Sequence, residues 1–173
     1  LRTLEAHRVD GLVLISSRLD DDMLAEVTDG ARPVVLVNRS QPPRPGVGCV
    51  LVNDADAAST AVRHLLDRGH RQIGFLAGTP ESRSSRERRR GYLRAMREAG
   101  LSLDDDWCAT CAPNVEGGRR AAYDLLRHKP ELTALLAYND LVAVGAGQAC
   151  QMLGRAIPAE CAPVGWDDII FAS

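Results

Sequence analysis

Four apolar runs in this sequence end in side chains that can hydrogen-bond in both directions. Val37 is followed by Asn38-Arg39, Tyr138 by Asn139-Asp140, and Gly165 by Trp166-Asp167-Asp168. The fourth run, ending at Ala77-Gly78, leads into the segment Arg83–Tyr92, which holds five arginines. Asn donates and accepts, Asp accepts, and Arg presents a planar fork of donors. That mixture suits adjacent sugar hydroxyls, which also donate and accept together. Each residue has a local reading as well: Asn139 or Asp140 as a helix N-cap, and Asp167 or Asp168 as turn residues. Their coincidence at strand ends is what favours a site, because ligands of open α/β sheets bind outside the carboxyl ends of the strands.

One arginine of the segment stands apart. Tyr92, Ala95, Met96 and Ala99 fall on one helical stripe, and one turn back that stripe reaches Arg88. Arg88 is therefore expected to face inward, in the first turns of its helix. A cation near a helix N-terminus is disfavoured by about 0.3–1 kcal/mol, so Arg88 needs a partner. A carboxylate of the same chain and a polar ligand both fit, and position alone leaves the two open. Arg83, Arg86, Arg90, Arg94 and Arg97 point outward or sideways and read as a solvated basic face. The formal net charge is -2, without the basic excess of a domain that binds nucleic acid by itself.

These side chains need elements to carry them. Val9–Ile15, Pro33–Val37, Ile73–Ala77, Ala134–Ala137 and Ala162–Gly165 read as short apolar strands, as in a parallel sheet covered on both faces. Trp107–Ala112 also reads as a strand, and Cys49–Val52 as extended. Helical patterns run from Ala55 to Arg68, Ser84 to Ala99, Gly117 to His128 and Asp140 to Leu153, three of them stopping at a glycine (Gly69, Gly100, Gly154). Alternation at this spacing predicts a doubly wound α/β architecture. The segment Gln41–Gly48, with three prolines and two glycines, is the clearest break.

Other chemistries find no support. Five cysteines, an odd number, fit reduced thiols better than a disulfide framework. Cys108 and Cys111 form a CxxC, but no second pair or nearby histidine completes a zinc set, so no metal is expected. No apolar run approaches the roughly 20 residues of a membrane span. A dinucleotide fingerprint, a Walker lysine motif and a nucleophile elbow are all missing. His7, His64, His70 and His128 have no plausible nucleophile beside them. Neither catalytic residues nor a cofactor are expected.

The motifs in order resemble the LacI/GalR-type transcriptional regulators. The central match is Gly69-His70-Arg71-Gln72-Ile73-Gly74-Phe75-Leu76-Ala77-Gly78. Asn53-Asp54, Ala61–Leu66, Arg88–Tyr92, Asn139–Ala146 and Val164–Asp168 follow the same family pattern, and Val9–Leu12 and Pro33–Val35 fit the segment upstream. The resemblance implies a periplasmic-binding-protein-like core of type I, with two doubly wound parallel lobes and a small effector in the cleft. By this register residues 1–48 are part of the amino-terminal lobe, 49–53 the crossover, and 54–173 most of the carboxyl-terminal lobe. It also implies a cytoplasmic homodimer, a sugar or related effector facing Asn38, Arg88, Asn139 and Asp167, and operator DNA as partner. The helix-turn-helix that reads DNA in the family precedes everything in this sequence, as does the first strand-helix unit. The chain stops at Phe171-Ala172-Ser173, before the family's return crossing. The loop Ala112–Gly118 lacks the aromatic residue often found there, while Trp166, beside Asp167, could supply apolar surface or pack as a core residue. The alternative on the same fold is the sugar-binding protein of a transport system, against which the odd cysteine count and Gly69-His70-Arg71 argue.

Overall fold

The computed structural model describes residues 9–15, 21–29, 32–101 and 104–170. His7 and the terminal Phe171–Ser173 lie outside them. The chain divides into two compact units, Leu1–Val52 and Asn53–Ser173.

The first unit holds three parallel strands in the order β1 (Leu12–Ile15), β2 (Val34–Val37), β3 (Val47–Val50), with helix α1 at Asp21–Thr28. Cys49 and Val50, which fall in the expected crossover, are the last two residues of β3. The strand period of two splits the sheet into two faces. Val34 and Leu36 are buried and pack with Leu24 of α1. On the opposite face Val13 and Ile15 are 64% and 68% exposed.

The second unit is a parallel sheet of order β5-β4-β6-β7: β4 is Ile73–Ala77, β5 Cys108–Thr110, β6 Ala134–Ala137 and β7 Ala162–Val164. Helices α2 (Asp54–Asp67) and α3 (Arg83–Glu98) pack together, as do α4 (Val115–His128) and α5 (Asp140–Met152). Each pair covers one face. Ile73, Phe75, Ala134 and Leu136 meet Val62, Leu65 and Met96 on the α2–α3 side. Leu76, Leu135 and Ala137 meet Leu125, Val142 and Ala146 on the other. Both faces are covered by helices, which is why these strands are continuously apolar. Phe75 stacks on Tyr92 at 5.4 Å, and Tyr92 Oη donates to the Ile73 carbonyl at 2.7 Å. Burial pushes the Tyr92 hydroxyl well above its ordinary range.

The helices begin on polar caps and end on glycine. Ser82, Asn114 and Asn139 accept from backbone N–H groups three residues on. Gly69, Gly100 and Gly154 take positive φ just beyond α2, α3 and α5. One glycine matters for position rather than conformation. A Cβ at Gly91 would lie 2.0 Å from the Ala55 carbonyl oxygen, so only glycine lets α3 cross this close to the start of α2.

Candidate functional site

That close crossing brings Arg88 of α3 against Asp54, in the first turn of α2. Arg88 Nε donates to Asp54 Oδ1 at 2.9 Å, and Arg83 Nη1 stands 3.4 Å from Asp54 Oδ2. Asp54 is 2% exposed and Arg88 8%. A carboxylate in a helix's first turn is favoured by the helix dipole, so α2 supports the charge that α3 needs. Arg88 Nη1 also donates to the Tyr138 carbonyl. Its guanidinium lies 5.1 Å from the Tyr138 ring centroid and 4.1 Å from that of Trp166. Arg88 thus joins the ends of β6 and β7 to the start of α2.

The β6 and β7 ends are tied to each other by Asp140. Its Oδ2 accepts from Ile169 N at 2.8 Å and its Oδ1 from Trp166 N, while Asp140 N donates to the Trp166 carbonyl at 3.1 Å. The approach needs Gly165, whose Cβ would sit 2.0 Å from Asp140 Oδ1. Asp140 is 4% exposed. The segment it holds carries Asp167 and Asp168 at φ 110° and 55°, a left-handed region that non-glycine residues rarely adopt. Burial pushes the Asp167 carboxyl up from its ordinary value, the Arg88 cation opposes this, and Asp140 and Asp54 add to it. Asp167 is exposed as a residue. Trp166 is half-buried; with Val164 it lines an open, mostly apolar groove against Ala57, Ala61 and His64 of α2.

Arg88, Asn139, Trp166 and Asp167 therefore share one rim of the second unit. Asn139 also fills its local role: its Oδ1 caps α5 by accepting from Val142 N at 2.9 Å, which leaves the amide Nδ2 for donation. Asn38 follows β2 in the first unit, at φ 59°, with its N–H donating to the Val50 carbonyl at 2.9 Å. Its Oδ1 is buried without a hydrogen-bond partner. For Arg88 the intramolecular ion pair is present. It commits Nε and Nη1 but no other donor of the fork among the described residues.

Arg86, Arg89, Arg90 and Arg94 are taken up within the chain. Arg86 donates to the Pro80 and Glu81 carbonyls at 2.8 and 2.9 Å. Arg90 pairs with Glu87 at 3.1 Å, Arg94 with Asp56 at 2.5 Å, and Arg89 lies 3.6 Å from Asp105. The Arg94 guanidinium holds the Asp56 carboxyl below its ordinary value. Sequence reasoning did not assign Asp54 as the partner of Arg88, nor Asp140 as the tie to residues 166–169. An inward cation signalled that some carboxylate was needed; which one depends on how α2 and α3 cross.

Among the described residues no group of three or more His, Cys, Asp or Glu side chains could hold a metal ion. All five cysteines are free thiols. What the rim presents is hydrogen-bonding capacity around a stacked, charge-paired guanidinium, beside an apolar wall.

The sequence and the fold have parallels among known proteins. Residues 1–163 match the family described as periplasmic binding proteins and sugar binding domain of LacI family. The chain is 36% identical over 174 residues to the HTH-type transcriptional regulator GalS of Salmonella typhimurium, a match covering 99% of this chain and 50% of that protein. A putative ribose operon repressor from Burkholderia thailandensis is 35% identical with a TM-score of 0.82, over 97% of this chain and 62% of that one. A complex of the transcriptional regulator CelR with cellobiose has a TM-score of 0.87 at 28% identity, over 96% and 51% of the two chains. These relatives are transcriptional regulators, not enzymes, and the chain spans about half the length of the curated relatives it matches. These matches show that the chain belongs to the LacI/GalR family and forms its effector-binding core.

Proposed function

We propose that this core senses a sugar or a related polyol for a transcriptional repressor. The observation that carries the reading is Arg88, buried, with its guanidinium over the Tyr138 and Trp166 rings and part of its donor fork uncommitted. Asn139 and Asp167 supply a neighbouring donor and acceptor, and Trp166 an apolar surface of the kind on which a sugar face packs. Asn38, at the end of β2, is the effector-facing residue proposed for the first unit. The cellobiose bound by CelR supports the ligand class. In this reading operator DNA is bound by a helix-turn-helix headpiece outside these residues, and the protein acts in the cytoplasm as a homodimer, in keeping with two headpieces reading two half-sites. No helix among the described residues is long and apolar enough to cross a membrane.

The test is intrinsic tryptophan fluorescence of the full-length protein, titrated with sugars, polyols and nucleosides. A saturable change with one of the sugars or polyols, lost in Arg88→Ala and Asp167→Ala, is the expected result. A flat response across the panel from folded protein overturns the reading, and saturation by nucleosides alone overturns the ligand class.

A further inference from the structure

The charges around Arg88 say more about the ligand than the presence of an arginine does. A guanidinium in a binding site ordinarily invites a carboxylate or phosphate, which it can grip with two parallel hydrogen bonds. Here Asp54 already takes the Nε edge, with its side chain 1% exposed. The Tyr138 carbonyl takes Nη1. What remains of the fork is not a free bidentate edge backed by net positive charge. The surroundings are acidic. Asp54 contacts Arg88, and Asp167 and Asp140 lie near enough for Asp167 to be influenced by Arg88, Asp140 and Asp54 together. Against these three carboxylates stand Arg88 and the partly exposed Arg83. An incoming anion would meet a cation whose charge is already compensated and at least one carboxylate in excess. A neutral hydroxyl would meet donors and acceptors with no such penalty.

We propose that the Asp54–Arg88 pair makes this rim select a neutral, hydroxyl-bearing ligand over its phosphorylated or carboxylated counterparts, with Asp54 as the positioning residue that sets the selection. The inference rests on the sugar-sensing reading and narrows it. Asp54 acts through Arg88: it fixes the guanidinium under Trp166 and cancels its charge, without touching the ligand. Charges several ångströms apart in a partly desolvated site change affinity by about tenfold.

Calorimetric titrations of the full-length protein test this, using D-glucose, D-galactose and D-ribose, each beside its phosphate esters and, for the hexoses, the uronate. Phosphates at different carbons put the charge at the rim whichever end of the sugar faces it. The expected result is a neutral sugar that binds at least about tenfold tighter than one or more of its anionic forms. In Asp54→Asn that ratio falls by about tenfold; in Arg83→Gln, which removes a cation from a partly exposed position, the ratio widens. Equal or tighter binding of every anionic form overturns the inference, as does a ratio unmoved in Asp54→Asn or narrowed in Arg83→Gln. Those outcomes leave the sugar-sensing reading standing, whereas folded protein that binds none of these compounds and is also silent across the full panel of sugars and polyols removes both. A mere loss of stability would weaken all ligands alike and leave the ratio where it was. If Asp54→Asn fails to fold, the Arg83→Gln ratio still decides.

Discussion

Arg88 and Asp54 lie 34 residues apart in sequence and meet at 2.9 Å, both almost fully buried. Removing one partner of such a pair strands the other charge in the interior, at a cost of about 3–5 kcal/mol. Asp54→Ala is therefore expected to lose about that much stability in urea denaturation, and Arg88→Ala a comparable amount. The double variant Asp54→Ala/Arg88→Met should recover most of the loss, since it leaves no unpaired charge. It should recover no ligand binding. That split separates the pair's contribution to folding from its part in recognition.

Asp140 is expected to matter more for local order than its place at a helix start suggests. Asp140→Ala frees the amides of Trp166 and Ile169, which it now satisfies. An unsatisfied buried amide costs about 1–3 kcal/mol. Hydrogen exchange of those two amides should rise by at least tenfold relative to the amides of β4. Effector binding should weaken as Asp167 loses its fixed place. Unchanged exchange at Trp166 and Ile169 would show that the segment holds its path without Asp140.

The acid side of the stability curve has two opposing contributions. Asp167 has its carboxyl raised, chiefly by burial. A raised acid favours the folded state when protonated, so its contribution is present below the unfolded value of about 3.9 and lost as pH rises through the folded value. Asp167→Asn should therefore stabilise the protein at pH 7, with the difference fading as pH drops below the ordinary carboxylate range. Asp56, Asp104 and Glu116 are shifted the other way, each first by a hydrogen bond from a basic side chain. Their stabilisation is present at neutral pH and disappears as pH falls through their lowered values. Thermal unfolding of wild type and Asp167→Asn across pH 3–7 reads both signs.

Thiol chemistry should report burial directly. Cys49 is exposed, while Cys111, Cys150 and Cys161 are buried and Cys108 partly so. Burial pushes the Cys108 and Cys111 thiols up, and the hydrogen bond with the Cys150 thiol, followed by burial, pushes Cys161 up. Thiolate is the reactive form. One fast equivalent with an aromatic disulfide reagent is expected, abolished in Cys49→Ser, and the other four should appear only on unfolding. A second fast thiol in the native protein would contradict the packing around the second sheet.

Much of this was legible in the sequence where burial leaves a periodic mark. Ile73–Ala77 and Ala134–Ala137 are apolar at every position because helices cover both faces of the second sheet. Gly69, Gly100 and Gly154 mark helix ends because the chain turns there at positive φ. Arg88 could be placed inward because Tyr92, Ala95 and Met96 fix the buried stripe of α3. What escaped notice depends on contacts between distant segments. Asp54 looks like any acidic residue at a helix start until Gly91 brings α3 down onto α2. Asp140 and Asn139 are interchangeable as caps on paper; the structure gives the cap to Asn139 and the strap to Asp140. The apolar run of β1 reads as buried on both faces, yet Val13 and Ile15 are mostly exposed.

The Asp140 strap holds residues 166–169 by their backbone, and that separates where the segment runs from what its side chains are. The path is set from outside by two amides and by the absence of a side chain at Gly165. Positions 167 and 168 are thus open to rewriting, provided the newcomer tolerates positive φ; Asn and Gly meet that condition and β-branched residues do not. A library confined to those two codons would explore altered ligand preference on a scaffold that stays intact, which makes this short segment the natural place for the protein to acquire, or be given, a different effector.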